Sequence, residues 1–477
     1  MNEVINKLNE LGYQTIGSDW YQRISDWDTW YTGKVKEFHH YKVWNGQERL
    51  DCEMYSLGMA KKVCEDIANL LMNERTTITI DGDEEQTFLD EILAANAFEV
   101  SMNELQERGA AASGTYALVP RGVNIRTDGT GRIVPAADAT LTIDYITGER
   151  IFPLAWRGRE ITECAFFKLI VTPTEKYNYL QIHTLENGEY QIRNIAWKAG
   201  IGAGGLSNVE LSQVPGLENV PEVLYTGSDK PQFVIGRLNI ANNIDADNPM
   251  GIALFANAID NLKAVDIVYD AYVIEYQLGK KVVFVKPAVS KTIDGQPTLD
   301  PKERVYHVLP EDMADGDLIH EVDMSLRSQP LADGVQDMLQ TLGFKCGFGS
   351  NYYKFENGVA VTATETIYNN QDLQESVNKH KIVLRALLIE FTRILLRLGK
   401  QYMGLNLNED ADIAVDLDDS VFVNKEAQLT DMRLDVQAGY LRPEIYIAQK
   451  YGVTEEEALK MIPGLEDQVD EGEDEIE

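Results

Sequence analysis

Apolar side chains recur at helical spacing between Ser56 and Glu74. Leu57, Ala60, Val63, Cys64, Ile67, Leu70 and Leu71 form one stripe, which predicts an amphipathic helix packed on a core. It is the clearest element of a first segment, to about Thr77, that mixes short helical runs with aromatic clusters. From about Thr115 to Trp197 the texture changes to short β-rich runs: 166–171, 177–183 and 190–197. Turn residues such as Glu186, Asn187 and Gly188 separate these runs, so an antiparallel sheet is expected.

The helical period then returns. Asn248 and Pro249 read as an N-cap and first helical residue, opening a helix of about 25 residues by its pattern. Its apolar face is Phe255, Ile259, Leu262, Val265, Tyr269, Tyr272 and Tyr276, with Asp260, Lys263, Asp266 and Asp270 on much of the rest. After Gly279, the β-like run 281–285 starts a polar insertion that ends near Ser328. A second amphipathic helix begins near Pro330, with Leu331, Val335, Met338, Leu339 and Leu342 on one face and Gly343 as its expected C-cap. A loop rich in glycine and aromatic residues follows, from Gly347 to Gly358. Thr362 and Glu365 then form a capping box, in which each side chain satisfies an orphan backbone donor. The helix it opens can run to about Tyr402, roughly 60 Å at 1.5 Å per residue. Its second half, Ile382 to Leu398, is apolar enough to be buried. A strand at 413–417 and helical runs at 424–438, 443–451 and 454–461 close the folded part, the last with a capping box at Thr454 and Glu457. Beyond Pro463 the chain is mostly acidic and is expected to be solvated.

With 477 residues, the chain exceeds the roughly 250–300 at which one core stops growing, so two to four domains are expected. The balance of 43 basic against 77 acidic side chains gives a net charge of −34, which repels nucleic acid from most of the surface. It serves solubility, or a wall along which DNA slides without sticking. The four cysteines, Cys52, Cys64, Cys164 and Cys346, lack the close spacing of a zinc or redox motif and read as free thiols in a reducing compartment. Met1 leads directly into Asn2–Ile5 without a basic and then apolar leader, and no run nears eighteen apolar residues. Neither export nor membrane insertion is expected.

Chemical motifs are few. Residues 200–205 match G-x-G-x-x-G, but no long amphipathic helix follows to aim its N-terminus at a pyrophosphate, so a surface loop is the preferred reading. No Walker A sequence and no Gly-x-Ser-x-Gly elbow occur. None of His39, His40, His183, His307, His320 and His380 has the i, i+4 partner of a helical zinc site. Asp416, Asp418 and Asp419 form an acidic cluster of the kind two-metal nucleases use, against which stands a solvated strand end. No cofactor, metal or catalytic residue is expected. The 347–358 loop is different in character, because Lys345 and Lys354 are local positive charges on a strongly negative chain and loops carry function disproportionately.

Several stretches carry a resemblance. They are Trp30, Tyr31, Gly33, Val35, Phe38, His39 and Tyr41; then 56–66; 248–252; 353–355 before 362–365; and 418–420 with Ala438 and Gly439. In order and spacing they resemble the portal proteins of long-tailed phages of Gram-positive bacteria, over almost the whole chain. The resemblance implies an α+β ring subunit with an α/β wing, a two-helix stem, a small β-containing clip, a long wing helix and a helical crown. The implied boundaries are 1–247 for the wing, 248–278 and 329–344 for the stem, 279–328 for the clip and 345–361 for the tunnel loop. Residues 362–422 would be the long helix and closing strand, 423–465 the crown and 466–477 an acidic tail. The function implied is a DNA channel at one capsid vertex, serving packaging, head–tail connection and ejection, in a dodecameric ring. The implied partners are the terminase large subunit, a head–tail adaptor, the major capsid and scaffolding proteins, and double-stranded DNA in the channel, with no membrane. The protein would assemble in the host cytoplasm and reside in the virion. The tunnel-loop residues expected to contact DNA are Lys345, Phe348, Asn351, Tyr352, Tyr353 and Lys354. The competing readings are another virion structural protein, such as a tail or baseplate subunit, and a metal-dependent nuclease built on the aspartate cluster.

Overall fold

The computed structural model describes residues 2–33, 35–44, 48–73, 75–198, 208–278, 282–285, 291–293, 296–298, 306–308, 319–322, 326–354, 363–417, 425–451 and 455–462. The glycine run at 200–205, Asp418 and Asp419, the capping threonines Thr362 and Thr454, and the acidic tail lie outside them.

The helix expected after Ser56 is Met59–Leu71, and Ala60, Val63, Cys64, Ile67, Leu70 and Leu71 are buried as its stripe requires. The β-rich region forms one antiparallel sheet in the order Asn208–Val209, Glu189–Lys198, Lys176–Glu186, Glu160–Val171, Ile151–Arg157, with Val223–Tyr225 pairing beside Glu189–Lys198. Its central hairpin turns at Asn187 and Gly188, both at positive φ, the two-residue turn whose twist matches that of the strands. A second, three-stranded sheet joins Val234–Gly236, Tyr116–Val123 and Thr140–Thr147. The longest helix, Ala363–Leu398, crosses this body against Tyr116–Val123, Val234–Gly236 and the Met59 helix. It continues as one wide turn, Gly399–Met403. Leu388, Phe391, Ile394, Leu395, Leu396 and Leu398 on it are fully buried, as the apolar second half predicts, while Ile382 at its edge is exposed. The strand Ile413–Asp416 closes against Thr77–Ile80.

Two helices, Ile259–Leu278 and Ser328–Lys345, pack on each other. They run antiparallel: Arg327 meets Glu275 at one end, and Gly334 lies against Val268 further along. The insertion therefore leaves and returns at the same end. Its backbone contains Val282–Val285 between the parallel Tyr306–Val308 and the antiparallel Ile319–Val322, with Lys291–Ile293 and Gln296–Thr298 as a separate pair. Three short helices, Lys425–Ala438, Pro443–Tyr451 and Glu455–Lys460, end the described chain.

Two helix boundaries differ from expectation. The first helix of the pair begins at Ile259 rather than at Pro249. Asn248 does cap a turn, its Oδ1 accepting from Met250 N, but the chain then threads beside residues 111–115 instead of coiling. Gly251 N donates to Thr115 Oγ1 and Leu254 N to Ala111 O, and a Cβ on Gly251 would collide with Gly114 O. Tertiary contacts consume the donors a helix would have used. Likewise Gly343 is not the C-cap of the second helix, which runs on to Lys345. Gly347, at φ +85°, ends it: Phe348 N donates to Gly343 O and Gly347 N to Phe344 O, the paired bonds of a Schellman motif.

Candidate functional site

The loop that follows this cap is the segment where the sequence placed function. Its first eight residues, 347–354, fold back on the body, whereas 355–362 lie outside the described residues. Phe348 is fully buried, and its ring packs against Tyr352 and Tyr353 at centroid distances of 4.9 and 5.6 Å. The two tyrosines meet edge to face at 5.0 Å. Tyr353 is buried, and its hydroxyl donates to Asp66 Oδ2 at 2.9 Å, on the Met59 helix. The other carboxylate oxygen, Asp66 Oδ1, accepts from Lys62 Nζ at 2.6 Å. Burial, reinforced by the Asp66 carboxylate, raises the Tyr353 phenol far above its ordinary range, so it stays a donor. Tyr352 is pushed up to about 12, again mainly by burial. Gln336 Nε2 donates to Tyr353 O at 2.9 Å, which ties the loop back to the helix that leads into it. Ser376 on the long helix lies against Gly347, and Asp372 against Gly349.

The six expected DNA-contacting residues therefore separate into two sets. Phe348 and Tyr353 point into the subunit as anchors. Lys345, Asn351, Tyr352 and Lys354 are exposed on the outer side, next to Phe344, the most exposed aromatic of the segment. The glycines and aromatic residues of 347–358 mark a loop in the sequence. What the sequence did not reveal was Asp66, five residues before the end of a core helix and 287 positions from its partner Tyr353.

A second constellation fastens the Ile259 helix to the N-terminal region. Asp266 and Asp270, read as lying outside the helix's apolar face, are both buried. Asp266 Oδ1 accepts from Leu57 N at 2.8 Å, and its Oδ2 from Ser56 Oγ at 3.1 Å and His39 Nε2 at 3.0 Å. Asp270 Oδ1 accepts from Tyr55 N at 2.9 Å. A buried carboxylate persists only when hydrogen bonds replace its water, and these two have them. A signal was present, because two aspartates at i, i+4 repel on a bare helix and lie in line with buried Leu262. Tyr276, assigned to the apolar face, is half exposed.

Chemistry of other kinds finds little support among the described residues. No group of three or more His, Cys, Asp or Glu side chains is placed to hold a metal, and no helix is long and apolar enough to cross a membrane. His183 is buried between Phe166 and Phe233, and burial lowers it to about 3. His380 is lowered to about 4 by burial and then by Lys379, and its Nδ1 accepts from Asn239 N. Cys64, Cys164 and Cys346 are buried free thiols, and Cys52 is a partly exposed one. A family model described as phage portal protein, SPP1 Gp6-like, matches residues 13–471. No protein with a curated description matches the chain.

Proposed function

The chain belongs to the phage portal proteins, SPP1 Gp6-like, and from that premise we propose a dodecameric ring whose channel is lined in part by the 345–361 loop. As a phage portal protein it serves the passage of DNA through the capsid vertex, and its family is structural rather than enzymatic. The observation that carries this is the extent of the family match, nearly the whole chain, which favours neither a tail subunit nor a nuclease. The antiparallel helix pair with a β-containing insertion at one end supports assigning the pair to the stem and the insertion to the clip. The sheets, the N-terminal helices and the long helix then form the wing, and the three last helices the crown. In this assignment the terminase large subunit docks at the clip during packaging, and a head–tail adaptor replaces it there. Capsid and scaffolding proteins surround the wing.

Twelve subunits at −34 sum to about −400, a wall that denies DNA the dense phosphate contacts that would stall sliding. Lys345 and Lys354, on the exposed side of the anchored loop, supply isolated contacts that break easily. Negative-stain images of the purified full-length protein test the assembly. Closed rings with a central hole, twelvefold in class averages, are expected. Only single subunits or open filaments across a range of concentrations and salts would overturn it.

A further inference from the structure

Residues His40–Trp44 and Arg49–Glu53 form a two-stranded antiparallel hairpin, with no third strand beside it among the described residues. The register pairs His40 with Glu53, Tyr41 with Cys52, Lys42 with Asp51, Val43 with Leu50 and Trp44 with Arg49. Side chains alternate between faces along a strand, so the two faces differ completely. One carries the cross-strand ion pairs Lys42–Asp51 at 3.4 Å and His40–Glu53 at 3.8 Å, together with Trp44 and Arg49. The other is Tyr41, Val43, Leu50 and Cys52. Every strand position except Cys52 is exposed, Val43 at 44% and Leu50 at 43%, so the described residues leave this apolar face uncovered.

The base of the hairpin is as firmly held as its blade is bare. His39 donates from Nε2 to buried Asp266, Met54 N donates to His39 O at 2.8 Å, and Tyr55 N and Leu57 N donate to Asp270 and Asp266. Both flanks of the arm are thus fixed to the Ile259 helix, which sets its direction. An isolated two-stranded hairpin is marginal in water, and one with an apolar face gains stability when another surface covers that face.

We infer that the apolar face of the 40–53 hairpin docks on a second copy of this chain, the neighbouring subunit of the ring. The inference rests on the portal reading, which guarantees an identical neighbour at every subunit. Charge favours the same occupant. Residues 40–53 contain two basic side chains, Lys42 and Arg49, and three acidic ones, Glu48, Asp51 and Glu53, so nearly all of the net charge of −34 lies elsewhere on the chain. The nearly neutral arm is therefore a part that can approach another acidic copy with little long-range repulsion. A ring is built from heterologous contacts, so the arm covers a different surface of its neighbour rather than a second hairpin.

Two experiments on the full-length protein test this. A benzophenone side chain placed at position 43 and irradiated in the isolated ring fraction is expected to yield covalent dimers of this chain. Rings that form normally but give no dimer from position 43 would overturn the docking inference while leaving the portal reading intact. In the second arm, Val43→Asp combined with Leu50→Asp is expected to keep the subunit's cooperative thermal transition and to raise the concentration needed for ring formation at least tenfold. Rings that assemble at the wild-type concentration would also overturn it. Should the double variant lose its transition, the cross-linking result decides. Absence of rings from the wild-type protein would remove the portal assembly itself, and this contact with it.

Discussion

Tyr353 is the residue on which the candidate loop hangs, because its hydroxyl donates to the buried Asp66 carboxylate. Bonds to charged groups contribute about 1.5–3 kcal/mol, so Tyr353→Phe should cost about 2 kcal/mol in denaturant unfolding of the subunit. Tyr352→Phe, next in sequence and partly exposed, should stay within about 0.5 kcal/mol, and equal losses from both would contradict the anchoring role. Lys354 lies just beyond the anchor on the exposed side. Lys354→Glu should leave ring assembly intact and impair DNA packaging or retention; wild-type packaging at several salt concentrations would count against its contact role. His183 makes a separate, pH-dependent prediction. Its folded pKa of about 3 lies below the unfolded value of about 6.5, so the unfolded chain binds the proton first as pH falls. The stability it contributes is complete above pH 6.5 and is lost on descent toward 3, amounting to about 2 kcal/mol by pH 5. His183→Phe, flanked by Phe166 and Phe233, should flatten the fall in thermal midpoint between pH 7 and pH 5, and an unchanged slope would show that other groups set the acid limit.

The antiparallel helix pair makes the insertion expendable to the body's fold. Its two ends meet where Arg327 Nη2 and Glu275 Oε2 pair at 2.8 Å, and the apolar contacts of the pair, through buried Leu262, Val265, Leu339 and Leu342, lie further down. Replacing 288–304 with a short Gly/Ser linker should therefore preserve the wing's thermal transition and ring formation while abolishing terminase binding. Loss of the transition would mean that the insertion is part of the core. How far such elements can be read from sequence depends on what fixes them. The Met59 helix and the 160–198 strands were legible because burial of one stripe or one alternation determines them locally. Pro443–Tyr451 was legible to the residue, because proline opens it. The Ile259 helix was misplaced by ten residues because Asn248 and Pro249 do form a turn, and only the distant contact of Gly251 with Gly114 keeps the next residues from coiling. Gly343 misled in the same way: its missing side chain admits Gly349 O, at 2.8 Å from where a Cβ would stand, and the true cap lies four residues on. Asp66 became visible as an anchor only when the fold brought Tyr353 to it.

At the scale of the whole molecule, a hydrophobic core that runs from Val4 to Leu417 joins the N-terminal helices, both larger sheets and the long helix. Such a body suits a channel wall through which a stiff polymer is driven, and its surface charge determines how that polymer is held. Counterion release sets the salt dependence of DNA binding, with a slope of roughly −0.9 for each phosphate neutralised, and tightly held complexes reach slopes near −10. A ring of about −400 whose proposed channel contacts are only Lys345 and Lys354 of each subunit should engage few phosphates at any instant. The expected result is weak binding of short duplex DNA to assembled rings, with a slope between about −1 and −3 over roughly 25–200 mM salt, measured by sedimentation or fluorescence anisotropy. Lys354→Glu should flatten the slope by about one unit or more, because the ring repeats the same change in every subunit. A wild-type slope steeper than about −6 would show that the channel grips the backbone along its length, and the sliding-wall account of the acidic surface would have to be abandoned.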